Sequence, residues 1–449
     1  MSSRLNFLLL SKKKEFIDRS MELSQEFEYS IRALNSVDQF LEHESDFDQI
    51  QFVLFDATEL PRKEDIAGAV QVARQLAKEA FLCVVIEKKM TAEQADFIKK
   101  SGANLVMLEN ELFETSKLEF VASQIIRASF VPVKLAEFPM GCVLDFTLFH
   151  LMPLNQKLLP VLPKGSPLSE TRIKKLEGVT EIYVRRDEVD RYRQYVEAHP
   201  ELMEMGLRGR CRAQYLSFCN SHSQLIFLLS DRSEQSSYKE GKWLYDRCEI
   251  LAKELLTTLS AVGEAWDVVN NSSLGEFGSV ERSPTIAAYA GLLSLLSSVG
   301  DPVDIMVAAL LADVGMLELP PKLTKKIRKG HSVETLDHEE RLEYQRHPML
   351  SLNQVLSRKI QLKEAVKEMI LTSHEKNNGG GFPNQKAGDD IPVGSMLIQF
   401  SEMIDQGAMV RMGQQRRSVQ EVRRQVMEHE SADAKTFSFS LLQKIKPVL

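Results

Sequence analysis

The stretch His374-Glu375-Lys376-Asn377-Asn378-Gly379-Gly380-Gly381-Phe382-Pro383 sets an imidazole beside a carboxylate and follows them with a glycine-rich loop. Imidazole nitrogens and carboxylate oxygens hold divalent metals and carry protons in catalysis. Three successive glycines let a backbone adopt positive φ and come close to a ligand, and Pro383 fixes the loop's exit. A second imidazole, His347, stands just before Pro348, after the acidic segment 338–343. The five cysteines (Cys83, Cys142, Cys211, Cys219, Cys248) form no CxxC pair. Neither a zinc ribbon nor a disulfide framework is expected from them, and they read as reduced thiols.

The elements that must position these groups are helices. Segment 284–298 places Ile286, Ala290 and Leu293 on one face, and segment 302–314 opens on Pro302. The run Ile305, Met306, Val307, Ala308, Ala309, Leu310, Leu311 is apolar nearly all round, which predicts burial at the centre of a bundle. Residues 210–270 are also mostly helical, with Trp243, Leu244, Cys248, Leu251, Leu255 and Leu259 at three- and four-residue spacing. They either open the bundle or form a coiled connector, and a homodimer contact is placed around residues 238–262.

Upstream the pattern differs. Asn6–Leu10, Gln51–Phe55, Phe81–Ile86 and Asn104–Leu108 are short apolar runs suited to buried parallel strands, with helical patterns at 64–79 and 91–101 between them. Such alternation implies a doubly wound sheet. Residues 131–200 carry Pro132, Pro139, Pro153, Pro160, Pro163 and Pro167 among short apolar runs and read as a small α+β module, with strands at Leu158–Leu162 and Glu181–Val184 and a helix at 169–177. The expected architecture is multidomain. It has an N-terminal α/β doubly wound domain (1–130), a small α+β linker module (131–200), a helical connector (201–280) and an all-α helical bundle (281–449).

Composition sets limits on partners. A chain of 449 residues with 43% apolar content supplies cores for two to four domains. A formal charge of −7 argues against general nucleic-acid binding. No apolar run has membrane-spanning length, and Phe7-Leu8-Leu9-Leu10, followed at once by lysines, reads as a strand rather than a signal peptide. A cytoplasmic location is the expectation.

The N-terminal region resembles a response-regulator receiver, with Asp56 where the phosphoacceptor would sit. The resemblance implies acidic residues after the first strand to hold Mg²⁺, yet the chain reads Ser11-Lys12-Lys13-Lys14 there. The hydroxyl residue expected after the fourth strand is replaced around Ile86-Glu87, and the lysine expected after the fifth is replaced around Leu108-Glu109. This makes the domain a pseudo-receiver, with Asp56 a strand-end polar residue.

Residues 280–445 resemble the HD-GYP family, metal-dependent phosphodiesterases of cyclic di-GMP. The stretch Ala308-Ala309-Leu310-Leu311-Ala312-Asp313-Val314-Gly315 matches the family's A-A-L-L-H-D-I-G, and Ser373-His374-Glu375 stands where the family has His-His-Glu. The loop Gly379, Gly380, Gly381, Phe382, Pro383 matches the GYP segment with phenylalanine for tyrosine. By the resemblance Asp313, His347, His374 and Glu402 are retained metal-ligand positions. Arg282, Ala312 and Ser373 are positions where a ligand histidine is lost, and Met316 replaces the catalytic lysine. Arg416 and Arg417 become candidate phosphate contacts, while Arg423 and Arg424 read as a solvated helix face.

The family's chemistry needs two or three metals about 3.5–4 Å apart around a bridging hydroxide. Two histidines and two carboxylates suit one metal and hardly bridge two. The resemblance with these losses implies a degenerate module that holds no cofactor, or at best one divalent metal such as Fe or Mn. It would sense cyclic di-GMP or another nucleotide, or bind GGDEF-type or other signalling proteins, rather than hydrolyse. Two alternatives stand beside it: a residual metal-dependent phosphohydrolase, and a purely structural scaffold resembling HDOD-type domains.

Overall fold

The computed structural model describes residues 6–27, 29–42, 50–87, 89–126, 130–152, 157–199, 206–233, 237–273, 280–409, 417–433 and 435–449. Its first layer is a parallel sheet of five strands, β1 (Asn6–Leu10), β2 (Ser30–Leu34), β3 (Ile50–Asp56), β4 (Phe81–Ile86) and β5 (Leu105–Leu108), in the order β2-β1-β3-β4-β5. Strand β2 escapes a reading for apolar runs because it is an edge strand, with Arg32 and Ala33 exposed. Four strands carry alternating faces that are both buried, as a sheet covered by helices requires. Leu8, Leu10, Val53, Phe55, Val84 and Ile86 pack on Ile66, Val70 and Ile98 in a core of their own. Phe7, Leu9, Phe52, Leu54, Cys83 and Val85 face Phe16, Leu23, Leu118 and Val121, in a core continuous with the rest of the molecule.

The second layer is an antiparallel sheet of β6 (Phe130–Lys134), β7 (Leu148–Met152), β8 (Lys157–Leu162) and β9 (Glu181–Arg185), in the order β6-β9-β7-β8. Helices Glu170–Lys175 and Val189–Ala198 accompany it. From Gly206 on, the described residues hold no further strand.

Helix Pro302–Ala312 lies at the centre of the helical region, with Ile305 to Ala312 all buried. Its start is set by Pro302 and by the Asp301 carboxylate, which accepts from the backbone N–H of Val303 and Asp304 at 3.0 and 2.9 Å. Helices Ser283–Ser297, His347–Ser357, Glu364–Thr372 and Val393–Ala408 pack around it. The long helices Gly206–Ser230 and Ser237–Leu259 pack on each other and on the bundle, so this segment belongs to the helical layer rather than standing apart from it.

The N-terminal domain is pinned to the bundle by polar bonds. Ser116 N–H donates to the Leu317 carbonyl at 2.9 Å, and its hydroxyl reaches the Leu319 carbonyl at 2.9 Å. Lys117 pairs with Glu318 at 2.9 Å, Arg328 with Glu26 at 2.6 Å, and the Ser123 hydroxyl donates to Glu281 at 2.5 Å.

Candidate functional site

Helix Pro302–Ala312 ends on Asp313, its C-terminal cap, and a short 3-10 turn, Val314–Glu318, follows. Helix His347–Ser357 begins on His347 itself. The two are held together by Gly315 and Ser351. The Gly315 N–H donates to the Ser351 hydroxyl at 2.7 Å, and that hydroxyl lies 2.6 Å from the Ala312 carbonyl and 2.9 Å from the His347 carbonyl. A Cβ on Gly315 would stand 2.1 Å from the His347 carbonyl oxygen, so only glycine permits the approach. Helix Glu364–Thr372 delivers Ser373 and His374 from a third direction.

These three elements bring Asp313, His347 and His374 to one point. The two Nε2 atoms lie 2.9 Å apart, and Asp313 Oδ1 is 3.4 Å from each. His347 is fully buried and gives its Nδ1–H to the Tyr344 carbonyl at 2.7 Å, which leaves Nε2 directed at the cluster. The Phe382 ring stacks on His374 at 4.9 Å and 11°. With metal–ligand bonds of about 2.1 Å, ligand atoms sit about 3.0 Å apart along an octahedral edge and about 3.4 Å apart along a tetrahedral one. The three observed edges fall at those values, and two imidazoles with one carboxylate suit a borderline divalent ion. The chain therefore offers a place for one metal.

Glu402, expected as the fourth ligand, stands elsewhere. Its Oε2 lies 3.8 Å from Nδ1 of His374, on the far side of that ring, and its Oε1 accepts from Gln406 Nε2 at 2.8 Å. Burial and the neighbouring charges of Asp313 and Asp405 push its carboxyl up to about 8. Burial would raise Asp313 too, but the imidazoles of His347 and His374 beside it hold it well below the usual carboxylate range. Burial, with His347 and Lys376 nearby, lowers His374 despite Asp313. Asp313 and Glu402 keep side-chain exposures of 24% and 21%, because both face a recess rather than the bulk.

That recess is a cavity of about 320 Å³ lined in part by Arg282, Asp313, Met316, Tyr344, Glu402 and Asp405. Arg282 is 4% exposed, and its guanidinium grips Asp405 through both carboxylate oxygens, the Nε–Oδ2 contact being 3.0 Å. It forms part of the cavity wall, and its charge is spent on Asp405 rather than on the histidine cluster. Asp405, Tyr344 and Ser351 were missed in the sequence. A carboxylate one helical turn from Glu402 was the available signal for Asp405.

The remaining expected positions divide clearly. Ala312 is buried and Met316 lines the cavity. The Ser373 hydroxyl turns back to the Ile370 carbonyl at 3.1 Å. Glu375 accepts the backbone N–H groups of Asn384 and Lys386 at 2.7 and 3.1 Å and so shapes the loop rather than the cluster. The loop glycines have internal reasons. Gly379 sits at φ 76°, and a Cβ on Gly381 would lie 2.4 Å from the Glu375 Cα. The close approach presses Phe382 onto His374, so these glycines do not by themselves require an external ligand. Arg416 lies outside the described residues, and Arg417 bonds Gln425 and pairs with Glu421 away from the cavity lining.

In the N-terminal domain Asp56 closes β3. Its carboxylate accepts from the Ser11 hydroxyl at 2.6 Å, and from the Thr58 N–H and hydroxyl at 3.1 and 2.6 Å. Lys13 pairs with Glu109 at 2.5 Å across the same end of the sheet.

Comparison with known proteins places this geometry. A stretch of 75 residues is 32% identical to the 3'3'-cGAMP-specific phosphodiesterase 2 of Vibrio cholerae, spanning 17% of this chain and 14% of that protein. The fold can be superimposed on Bd1817, an HDG"Y"P protein from Bdellovibrio bacteriovorus, at a TM-score of 0.46 and 17% identity, covering 71% of this chain and 99% of that one. No helix among the described residues is long and apolar enough to cross a membrane. The family model described as the HD domain matches residues 267–429, which contain Asp313, His347, His374 and the residues that line the cavity, and that segment of the chain is an HD domain.

Proposed function

We propose that the HD domain holds one divalent metal on Asp313, His347 and His374 and serves as a metal-dependent nucleotide-sensing module with little or no phosphodiesterase activity. The observation that carries this is the triangle of ligand atoms at 2.9, 3.4 and 3.4 Å. A divalent ion there would supply Lewis-acid binding of a phosphate oxygen. The chain's own residues account for the rest. Tyr344 fixes the His347 tautomer through its carbonyl, Phe382 holds the His374 ring, and Glu402 stands behind that ring.

The parts needed for cleavage are reduced. Ala312 and the turned-away Ser373 add no second set of ligands, and Met316 places a thioether where the family's lysine would neutralise phosphate charge. The cavity lining carries the carboxylates Asp313 and Glu334, while Arg282 is paired with Asp405 and the raised pKa of Glu402 leaves it largely protonated at neutral pH. A phosphate has little reason to enter until a metal changes that balance.

The N-terminal domain fits a pseudo-receiver in this reading. Its charges are exchanged relative to the receiver pattern, with Lys13 after β1 and Glu109 after β5, and the two neutralise each other. Ser11 and Thr58 already occupy the Asp56 oxygens. A second reading, a one-metal phosphohydrolase, is favoured by the same triangle, because one ion suffices to polarise a phosphate. A wholly site-free scaffold has no account of why two buried imidazoles converge on a carboxylate.

The test is metal analysis of the full chain reconstituted with Fe²⁺ or Mn²⁺, followed by calorimetry and a hydrolysis assay with cyclic di-GMP and 3'3'-cGAMP. One metal per chain, metal-dependent binding and no turnover support the proposal. Steady turnover would transfer the assignment to the second reading, and a chain that takes up no metal would end both.

A further inference from the structure

The turn Val314–Glu318 follows Asp313, brings Met316 to the cavity wall, and is held from two sides. On one side the Gly315 N–H and the Ala312 carbonyl meet the Ser351 hydroxyl, on the helix that begins with His347. On the other side stands the N-terminal domain. The Ser116 N–H donates to the Leu317 carbonyl at 2.9 Å, and its hydroxyl lies 2.9 Å from the Leu319 carbonyl and 2.6 Å from the Thr324 hydroxyl. Lys117, the first residue of helix Lys117–Ile126, shares its ammonium between Glu111 at 2.6 Å and Glu318 at 2.9 Å. Glu111 also accepts the Leu108 N–H at the end of β5, at 2.8 Å, and Glu318 accepts from Gln354 on the His347 helix. A run of bonded groups thus leads from the parallel sheet through Lys117 to both elements that carry Asp313 and His347. Ser116, Lys117 and Glu111 are all buried. A buried ammonium between two carboxylates and a buried N–H on a carbonyl are costly to part, so the turn moves only with the N-terminal domain.

We infer that Ser116 and Lys117 are positioning residues for the triangle of Asp313, His347 and His374, so that the N-terminal domain sets how tightly the HD domain holds its ion. The inference rests on the metal reading given above and adds its control. Asp313 Oδ1 stands 3.4 Å from each Nε2. A metal site tolerates ligand displacements of only about 0.2 Å, so a small shift of the turn is felt as lost affinity. Linkage makes the effect reciprocal: an ion that fixes Asp313 also fixes the turn against Ser116 and Lys117.

Co²⁺ titration of the full chain, read by visible absorption, tests it on Lys117→Met, Ser116→Ala and Arg328→Gln. Arg328 is the control: it joins the same two domains through Glu26 at 2.6 Å, but from helix Pro321–Arg328 rather than from the turn. Lys117→Met should weaken Co²⁺ uptake roughly 10-fold, the low end of outer-shell changes, and shift the absorption bands of the saturated protein. Ser116→Ala should weaken uptake several-fold, and it removes no charge, so it decides the matter where Lys117→Met does not fold. Arg328→Gln should keep the parent's affinity and bands. In hydrogen exchange, Co²⁺ should slow residues 109–126 of the parent. A parent that takes up no Co²⁺ would end the metal reading and this inference with it. With a parent that binds Co²⁺, three results would each overturn this inference alone: parental affinity and bands in the folded position-116 or position-117 variant, an equal loss in Arg328→Gln, or exchange in residues 109–126 that is indifferent to the ion.

Discussion

His347 and His374 meet through their Nε2 atoms at 2.9 Å, with Asp313 Oδ1 at 3.4 Å from both. Because the Nδ1–H of His347 is given to the Tyr344 carbonyl, its Nε2 carries a lone pair aimed at the other ring. A divalent metal bound there would take that lone pair together with the other imidazole and the carboxylate. Titration with Co²⁺, followed by its visible absorption, should saturate at about one ion per chain. His347→Ala and His374→Ala should each weaken uptake by more than the roughly 10- to 100-fold that outer-shell changes cost. Glu402→Gln should fall within that smaller range, because Glu402 stands behind His374 rather than beside Asp313. Equal losses for Glu402→Gln and His347→Ala would show that Glu402 is a direct ligand.

The approach of Asp313 to His347 depends on Gly315 and Ser351. Gly315→Ala would drive a methyl group to 2.1 Å from the His347 carbonyl and 2.6 Å from the Ser351 nitrogen, both main-chain atoms that cannot yield cheaply. Overpacking of this kind costs about 1–3 kcal/mol and more where backbone must move, and the upper end is expected here. Ser351→Ala leaves the Gly315 N–H without its partner, at a cost of about 1–3 kcal/mol. Urea unfolding curves at neutral pH report both. A Gly315→Ala protein as stable as the parent would mean that the two helices are not held at this distance.

How much of this was legible in the sequence follows from what each feature depends on. The central helix was readable because Ile305 to Leu311 are apolar without interruption, and a segment of that kind has nowhere to go but the core. Asp313, His347 and His374 were readable as types at family spacing, and the structure brings the three side chains together. The strands β2, β6 and β7 were not readable. β2 is a polar edge, β7 buries only Leu148 fully, and β6, whose burial does alternate, carries apolar Phe130 and Pro132 on its half-covered face, so its sequence shows no alternation. The role of the glycine loop was misleading for a physical reason. Glycine answers equally to a ligand outside and to a backbone inside, and Gly381 answers to the Glu375 backbone. Ser351 carries no sequence signal of its own, since it acts through Gly315 and Ala312 far away in the chain, and Asp405 is marked by its spacing from Glu402 while its partner Arg282 is not.

Arg282 and Asp405 form an ion pair that is almost wholly buried, with side-chain exposures of 4% and 3%. Burial works against the guanidinium's charge, but the Asp405 carboxylate outweighs it and holds the arginine firmly protonated. Removing one partner strands the other charge in the cavity wall. Arg282→Met alone should therefore destabilise the chain by about 3–5 kcal/mol, and Asp405→Leu alone by a comparable amount. The double variant should recover most of the loss, because two apolar side chains leave no unpaired charge. Additive losses in this double-mutant cycle would count against a direct pair.

His222 gives a pH dependence whose sign can be worked out. It is 1% exposed on helix Gly206–Ser230, and its Nε2 lies 3.0 Å from the Leu310 carbonyl, which only a ring N–H can satisfy. Burial is the largest influence and lowers its pKa; the Leu310 carbonyl opposes this, Arg186 adds to it, and the result is about 4. In the unfolded chain the value is about 6.5. Between these limits the unfolded state binds more protons than the folded one, so stability falls as pH drops through the window from about 6.5 to about 4. The full difference amounts to roughly 3 kcal/mol, lost progressively across that window and not regained below it. His222→Gln retains an N–H for the Leu310 carbonyl but cannot titrate. Urea unfolding of the parent and of His222→Gln at pH 7, 6, 5 and 4 should show the two curves diverging below pH 6.5, with the parent losing more. Parallel curves would show that His222 is not held neutral in the folded protein.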